Sequence, residues 1–242
     1  MAQFFLPEHY SAFDSQYSTS DSQEADRRRA FVRDRLLELD NQIWPLIESR
    51  NALGLWDLNR HWQKNHHTST FFIIPHMVDI ITSMWLHYGK SKDRIKEFNE
   101  YAFYCHTRIQ PYIGIHPEVG PCVRMWLIST DKDYYDRRVF LERIFSKPDE
   151  AREFYVLLRQ LFGKGYFYEI DGKRHSLEEP VAQEDIMQML KKCKRGTIPI
   201  YSGIVKEYSP DDPLISEDNI AEEMWNGIAD LYPLYEFMIR GT

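Results

Sequence analysis

Residues 106–129, HTRIQPYIGIHPEVGPCVRMWLIS, read as a pair of β-strands. Two alternating runs rich in β-branched and aromatic residues flank Pro117-Glu118-Val119-Gly120-Pro121, whose prolines and glycine favour a turn. Successive side chains of a strand point to opposite sides of its sheet. Ile109, Ile113 and Ile115 therefore share one face, with Val123, Met125 and Leu127 set against them from the neighbouring strand. Arg108, Tyr112, His116, Arg124 and Trp126 fall on the other. One face is apolar and suits a core; the aromatic and basic face is the sharpest functional feature of the sequence.

On the N-terminal side, segments 69–74 and 80–88 are expected strands separated by Pro75-His76-Met77-Val78-Asp79. Trp85 and His87 then extend the aromatic and basic side if the second of them joins the central pair. Residues 23–49 carry Val32, Leu36, Leu39, Ile43 and Leu46 at helical spacing, with Pro45 expected to kink or end the helix near Trp44. Ser91 is an expected N-cap for a further short helix. On the C-terminal side, helices are expected over 134–146 and 148–162. A hairpin over 166–170 and 173–177 follows from Asp171-Gly172, a pair that tolerates the positive φ of a tight hairpin turn. A helix over 181–193, a strand over 198–208 and a last helix from Ser216, interrupted at Pro233, complete the chain. About seven strands and six helices, with strands often adjacent in sequence, predict an α+β fold: an antiparallel or mixed sheet with helices packed on it.

A chain of 242 residues is long enough for one large core. We read residues 23–242 as a single domain preceded by a flexible N-terminal arm over 1–22, in which Phe4, Phe5, Leu6, Tyr10 and Phe13 precede a polar tract. Such an arm either packs on its own domain or docks on a second copy or a partner. No apolar run reaches the about 18 residues of a membrane helix, and the first residues lack the basic start of a signal peptide. Three widely spaced cysteines without C-x-x-C suggest a reducing, cytoplasmic setting. A net charge of −7 disfavours non-specific binding to a phosphate backbone.

Several groupings bear on chemistry. Aromatic rings beside guanidinium groups, as Trp85, His87, Arg108, Tyr112, His116, Arg124 and Trp126 would supply, hold planar or anionic ligands by stacking and charge-assisted hydrogen bonds. His61, His66, His67 and His76 lie close together in sequence, but their spacing matches no zinc template, so neither a metal nor a cofactor is expected. Pro148-Asp149 followed by Glu169-Ile170-Asp171-Gly172-Lys173 resembles the PD-(D/E)xK nuclease motif. That resemblance implies acidic Mg²⁺ ligands at Asp149, Glu169 and Asp171 with Lys173 assisting a water. The family carries its acids on neighbouring strands, whereas here Asp149 opens a helix and Asp171 sits in a turn. Lys191, Lys192, Lys194 and Arg195 fall at a helix C-terminus, where cations suit the dipole. The common phosphate-loop, dinucleotide, hydrolase and zinc-protease signatures are absent.

The sequence thus predicts a soluble binding or interaction module that uses its aromatic and basic sheet face for a planar or anionic ligand or a partner. The alternatives are a metal-dependent phosphodiesterase or nuclease, and an oligomerisation or inhibitory protein acting through its N-terminal arm.

Overall fold

The computed structural model describes residues 2–18, 22–60, 69–72, 80–89, 111–116, 120–129, 135–170, 173–195 and 201–241. In chain order the described elements are α1 (Pro7–Ser11), α2 (Ser15–Ser18), α3 (Gln23–Ala52), β1 (Asn59–Arg60), β2 (Ser69–Phe72), β3 (Ile80–Gly89), β4 (Pro111–His116), β5 (Gly120–Ser129), α4 (Tyr135–Ser146), α5 (Pro148–Leu158), β6 (Phe167–Ile170), β7 (Lys173–Ser176), α6 (Gln183–Arg195), β8 (Tyr201–Glu207) and α7 (Ile220–Met238), with 3-10 turns at Arg159–Leu161 and Pro213–Ile215. This is an α+β domain, and every described strand pairing is antiparallel.

The sheet runs β1-β3-β4-β5-β8-β6-β7, with β2 also on β3. β3, β4 and β5 make a meander, and β8 enters between β5 and the β6–β7 hairpin. Ile170 pairs with Lys173, leaving the two-residue connection expected of Asp-Gly. The central register sets Ile113 against Val123 and Ile115 against Met84. Met84, Leu86, Tyr88, Ile113, Ile115, Val123, Met125, Tyr168 and Ile204 are all buried on this side, in one core with the helices. The layer above them is led by α3, which meets β3, and α7, which meets β4, β5 and α3.

α7 approaches the sheet closely because it has a glycine there: a Cβ on Gly227 would stand 2.6 Å from Val123 Cγ2. The connection after α3 is pinned to the same helix. Trp56 stacks on Tyr232 at 4.7 Å and meets Trp225 at 4.8 Å, while Asp57 N–H donates to the Tyr232 hydroxyl.

Neither proline ends its helix: of the kink or end expected at Pro45 no end is found, and the interruption expected at Pro233 does not occur. α3 is capped by the Ser22 side chain, which accepts the Ala25 N–H, and runs 30 residues through Pro45. Pro45 and Asn41, whose carbonyl loses its partner, both lie on the exposed side, where water can satisfy the carbonyl. Ile43 and Ile47, buried on the opposite side, hold the helix to the core across the interruption. The apolar stripe accordingly passes to Ile47 rather than Leu46, which is 44% exposed. In α7, Leu231, Tyr232, Leu234 and Tyr235 are buried on both sides of Pro233 and keep the helix continuous in the same way.

The N-terminal segment packs on its own domain. Phe4, Phe5, Ala12 and Phe13 belong to the main core, so these apolar side chains are not presented to a second copy. Gln3 bridges Ser216, and Glu217 N–H donates to the Ala2 carbonyl at 2.9 Å. Arg35 of α3 lies over the Phe4 ring at 3.7 Å and donates to the Phe4 carbonyl at 2.8 Å. The segment expected as a helix from Ser91 lies outside the described residues.

Candidate functional site

The alternate strand positions, those not used for the core, define the second sheet face. The register places His87 beside Tyr112, Tyr112 beside Arg124 and Arg124 beside Val205, with Val205 next to Phe167. These residues form one row across β3, β4, β5, β8 and β6. His116 of β4 pairs with Gly120, and Trp126 of β5 pairs with Gly203, on the same set of positions. By register, positions 85, 87, 112, 116, 124 and 126 belong to the same alternating set on three adjacent strands; Arg108 lies outside the described residues.

Trp85 has a different part from the one its composition suggested. It sits opposite Gly114, and a Cβ on Gly114 would stand 2.5 Å from Trp85 Cδ2, so the ring occupies the space a larger residue would fill. Trp85 is 5% exposed and forms a small second core with Cys122, Val205 and the partly buried Phe167. It is therefore floor rather than open stacking surface. A β-sheet glycine is weak because it has nothing to pack, and the cross-strand indole supplies what Gly114 lacks.

The far end of the face carries an ion cluster. Arg174 of β7 donates to both carboxylate oxygens of Glu207, at 2.5 and 2.8 Å, and lies 3.3 Å from Glu169. Arg174 is opposite Glu169 in the register, and Glu207 is opposite Cys122, so all three occupy second-face positions. A bidentate arginine between two carboxylates is geometrically specific. Burial of the guanidinium disfavours its charge, but the hydrogen bonds and charges of Glu207 and Glu169 outweigh this and raise the Arg174 pKa overall.

This cluster accounts for Glu169, one of the expected metal ligands. Asp149 is exposed in the first turn of α5, where its charge suits the helix dipole. Lys173 is the exposed first residue of the β7 edge, and Asp171 lies outside the described residues. Among the described residues no group of three or more His, Cys, Asp and Glu side chains could hold a metal ion. The histidines 61, 66, 67, 76 and 106 and Cys105 lie outside them too.

The sequence reading missed a buried polar group joining the layers. Asp40 is fully buried on α3; it accepts the Tyr88 hydroxyl at 2.8 Å and pairs with Arg60 at 2.5 Å. Arg60 also lies over the Trp44 ring at 4.4 Å, and Trp44 stacks on Tyr88. Burial, reinforced by the nearby Asp40 carboxylate, pushes the Tyr88 hydroxyl well above its ordinary pKa. The signal was in the sequence: Asp40 stands one residue from Leu39 and three from Ile43, inside the apolar stripe. Beyond this, an open depression of about 630 Å³ lies between β7 and the start of α6, lined by His175, Glu178, Pro180, Val181 and Asp185 among others.

No helix among the described residues is long and apolar enough to cross a membrane. Compared with known protein families and with curated proteins, the chain matches none.

Proposed function

We propose that this chain is a soluble binding or interaction module, working in a reducing cytoplasmic setting, whose second sheet face receives a planar or anionic ligand or a partner. The observation that carries the reading is the register, which sets His87, Tyr112 and Arg124 side by side across β3, β4 and β5. In it Arg124 and Arg108 supply positive charge, Tyr112 and Trp126 supply stacking area, and His87 and His116 supply hydrogen bonds. Trp85 supports the face from beneath through Gly114. The Arg174–Glu207–Glu169 cluster closes one end with charges that already answer each other. Glu169 is engaged there, which favours binding over the phosphodiesterase chemistry that would need its carboxylate for a metal.

Adenosine 5′-monophosphate and a short oligothymidylate are suitable planar anionic probes, titrated calorimetrically against the wild type and the Arg124→Ala/Trp126→Ala variant. A native mass spectrum of the gently purified protein would accompany the titrations. Binding lost in the double variant, with an unchanged circular dichroism spectrum and urea midpoint, supports the assignment. Binding that survives the double substitution, or no binding of either probe together with a clean apo mass, counts against a small-ligand site on this face.

A further inference from the structure

His9 is a buried titratable group that the second sheet face does not use. It is the third residue of α1 and 1% exposed, between the face of Phe31 at 4.4 Å and the edge of Phe5 at 5.9 Å. Its Nδ1 accepts the backbone N–H of Leu6, the residue capping α1, at 2.8 Å. This is the reach-back half of a capping box, a role that glutamate or glutamine usually fills. An accepting Nδ1 puts the hydrogen of the neutral ring on Nε2, and Nε2 is buried without a hydrogen-bond partner.

A proton on Nδ1 turns the acceptor into a donor. The Leu6 N–H then loses its partner and faces another N–H at close range. The Leu6 carbonyl, 3.3 Å from Nδ1, already accepts the His9 backbone N–H at 2.9 Å. The charge would also lie between two phenyl rings, in a site that offers Nε2 nothing. Among the groups facing the ring, Glu8 of the same helix favours the proton and Arg35 of α3 opposes it. Arg35 is in turn engaged by Glu38 and by Glu217, which follows the 3-10 turn at Pro213–Ile215. Arg28, also of α3, is held by Glu24 and Ser11. Burial is the largest influence and lowers the imidazole pKa below its ordinary 6.5; the Leu6 backbone acts in the other direction.

We propose that His9 is an acid-sensitive latch on α1: its protonation breaks the α1 cap and loosens α1 on α3. The flanking residues stay anchored, Gln3 by its bridge to Ser216, Phe4 by Ile215 and Arg35, and Tyr17 by Arg29, with Phe4, Phe5, Ala12 and Phe13 packed in the main core. The opening is therefore local to α1 and its cap, while α3, α7 and the sheet keep their core. The direction follows from proton counting. The open segment binds a proton more readily than the closed one, so closure is complete above the ordinary histidine value and is lost as pH falls through the lowered one. Within that window the opening equilibrium shifts by up to about tenfold per pH unit.

Amide hydrogen exchange of the full chain, followed by NMR at a series of pH values below 7 and corrected for intrinsic exchange, tests the latch. The Leu6 amide and those of α1 are expected to open up to about tenfold more for each pH unit below the ordinary histidine value, while amides of α7 stay as protected as before. In His9→Gln, where an amide oxygen can accept the Leu6 N–H without titrating, the same amides should be flat with pH. Three results overturn the proposal: no pH dependence in the wild type, parallel opening of α7, or a dependence that persists in His9→Gln. If His9→Gln does not fold, the wild-type imidazole titration decides. Titration below 6.5 in step with the Leu6 amide supports the latch, and titration at the ordinary value with Leu6 still protected overturns it.

Discussion

Replacing Gly227 by alanine puts the close approach of α7 and β5 under direct test. The added Cβ would lie 2.6, 3.0 and 3.1 Å from Val123 Cγ2, Cγ1 and Cβ, against about 3.5–4.0 Å for relaxed carbon contacts. The shortfall is about 1 Å at the worst atom. Val123 cannot turn away easily, because a β-branched side chain has few χ1 choices. Its strand is also held on both sides, by Ile113 and by Lys206. The helix is held by Met224, Ile228 and Leu231, all buried. On propensity alone the substitution gains about 1 kcal/mol in a helix interior, whereas overpacking costs about 1–3 kcal/mol. An overlap of this size between two pinned elements belongs near the upper end, for a net loss of about 1–2 kcal/mol. In a chain of this length that lowers Tm by about 2–8 °C. Urea unfolding should show a lower midpoint at unchanged slope. In the Val123→Ala background the same change should be neutral or stabilising by up to about 1 kcal/mol, giving a coupling near about 2 kcal/mol. An alanine variant at least as stable as the wild type, or an additive cycle, would refute the close approach.

Arg60→Met should cost about 2–3 kcal/mol in urea unfolding, because it takes a partner from the fully buried Asp40 carboxylate. Adding Asp40→Asn should recover most of that loss. Phe4→Ala removes a fully buried ring from beneath the Arg35 guanidinium and should lower stability by about 3–4 kcal/mol. At high pH, burial and Glu223 raise the Tyr208 pKa, while burial and Asp230 raise that of Tyr166. The folded state thus keeps protons that the unfolded chain releases, and stability present below the ordinary tyrosine value of 10.0 falls as pH rises above it. Tyr208→Phe should flatten this alkaline loss, read by circular dichroism alongside tyrosinate absorbance; an unchanged alkaline midpoint would argue against the contribution.

The central meander was legible because its alternation is strict. The alternating apolar positions 113, 115, 123 and 125 forced the register that was found, since a one-residue slip would turn every one of them to the wrong face. Asp171-Gly172 likewise announced its hairpin. The prolines do not end their helices because propensity is local, whereas Ile43 and Ile47, or Leu231 and Leu234, are held by a core the sequence does not display. Trp85's burial was not legible, because it depends on Gly114 standing directly opposite in another strand. The ion cluster was hidden for a similar reason. Glu207 reaches Arg174 only because β8 enters the sheet between β5 and β6, a crossover that no local pattern encodes.

That insertion also governs how the domain can be made. A chain emerging from a ribosome completes β5 at Ser129, yet the neighbour of β5 begins at Tyr201, a delay of roughly 4–14 s at about 5–20 residues per second. Throughout that interval the meander has an unpaired edge of the kind that recruits foreign strands. The seat of Phe4 cannot close either, because Ile215, Ser216 and Glu217, which hold residues 2–4, have not yet been synthesised. Phe4 and Phe5, made long before Ile215, Ser216 and Glu217, are thus late to find their place.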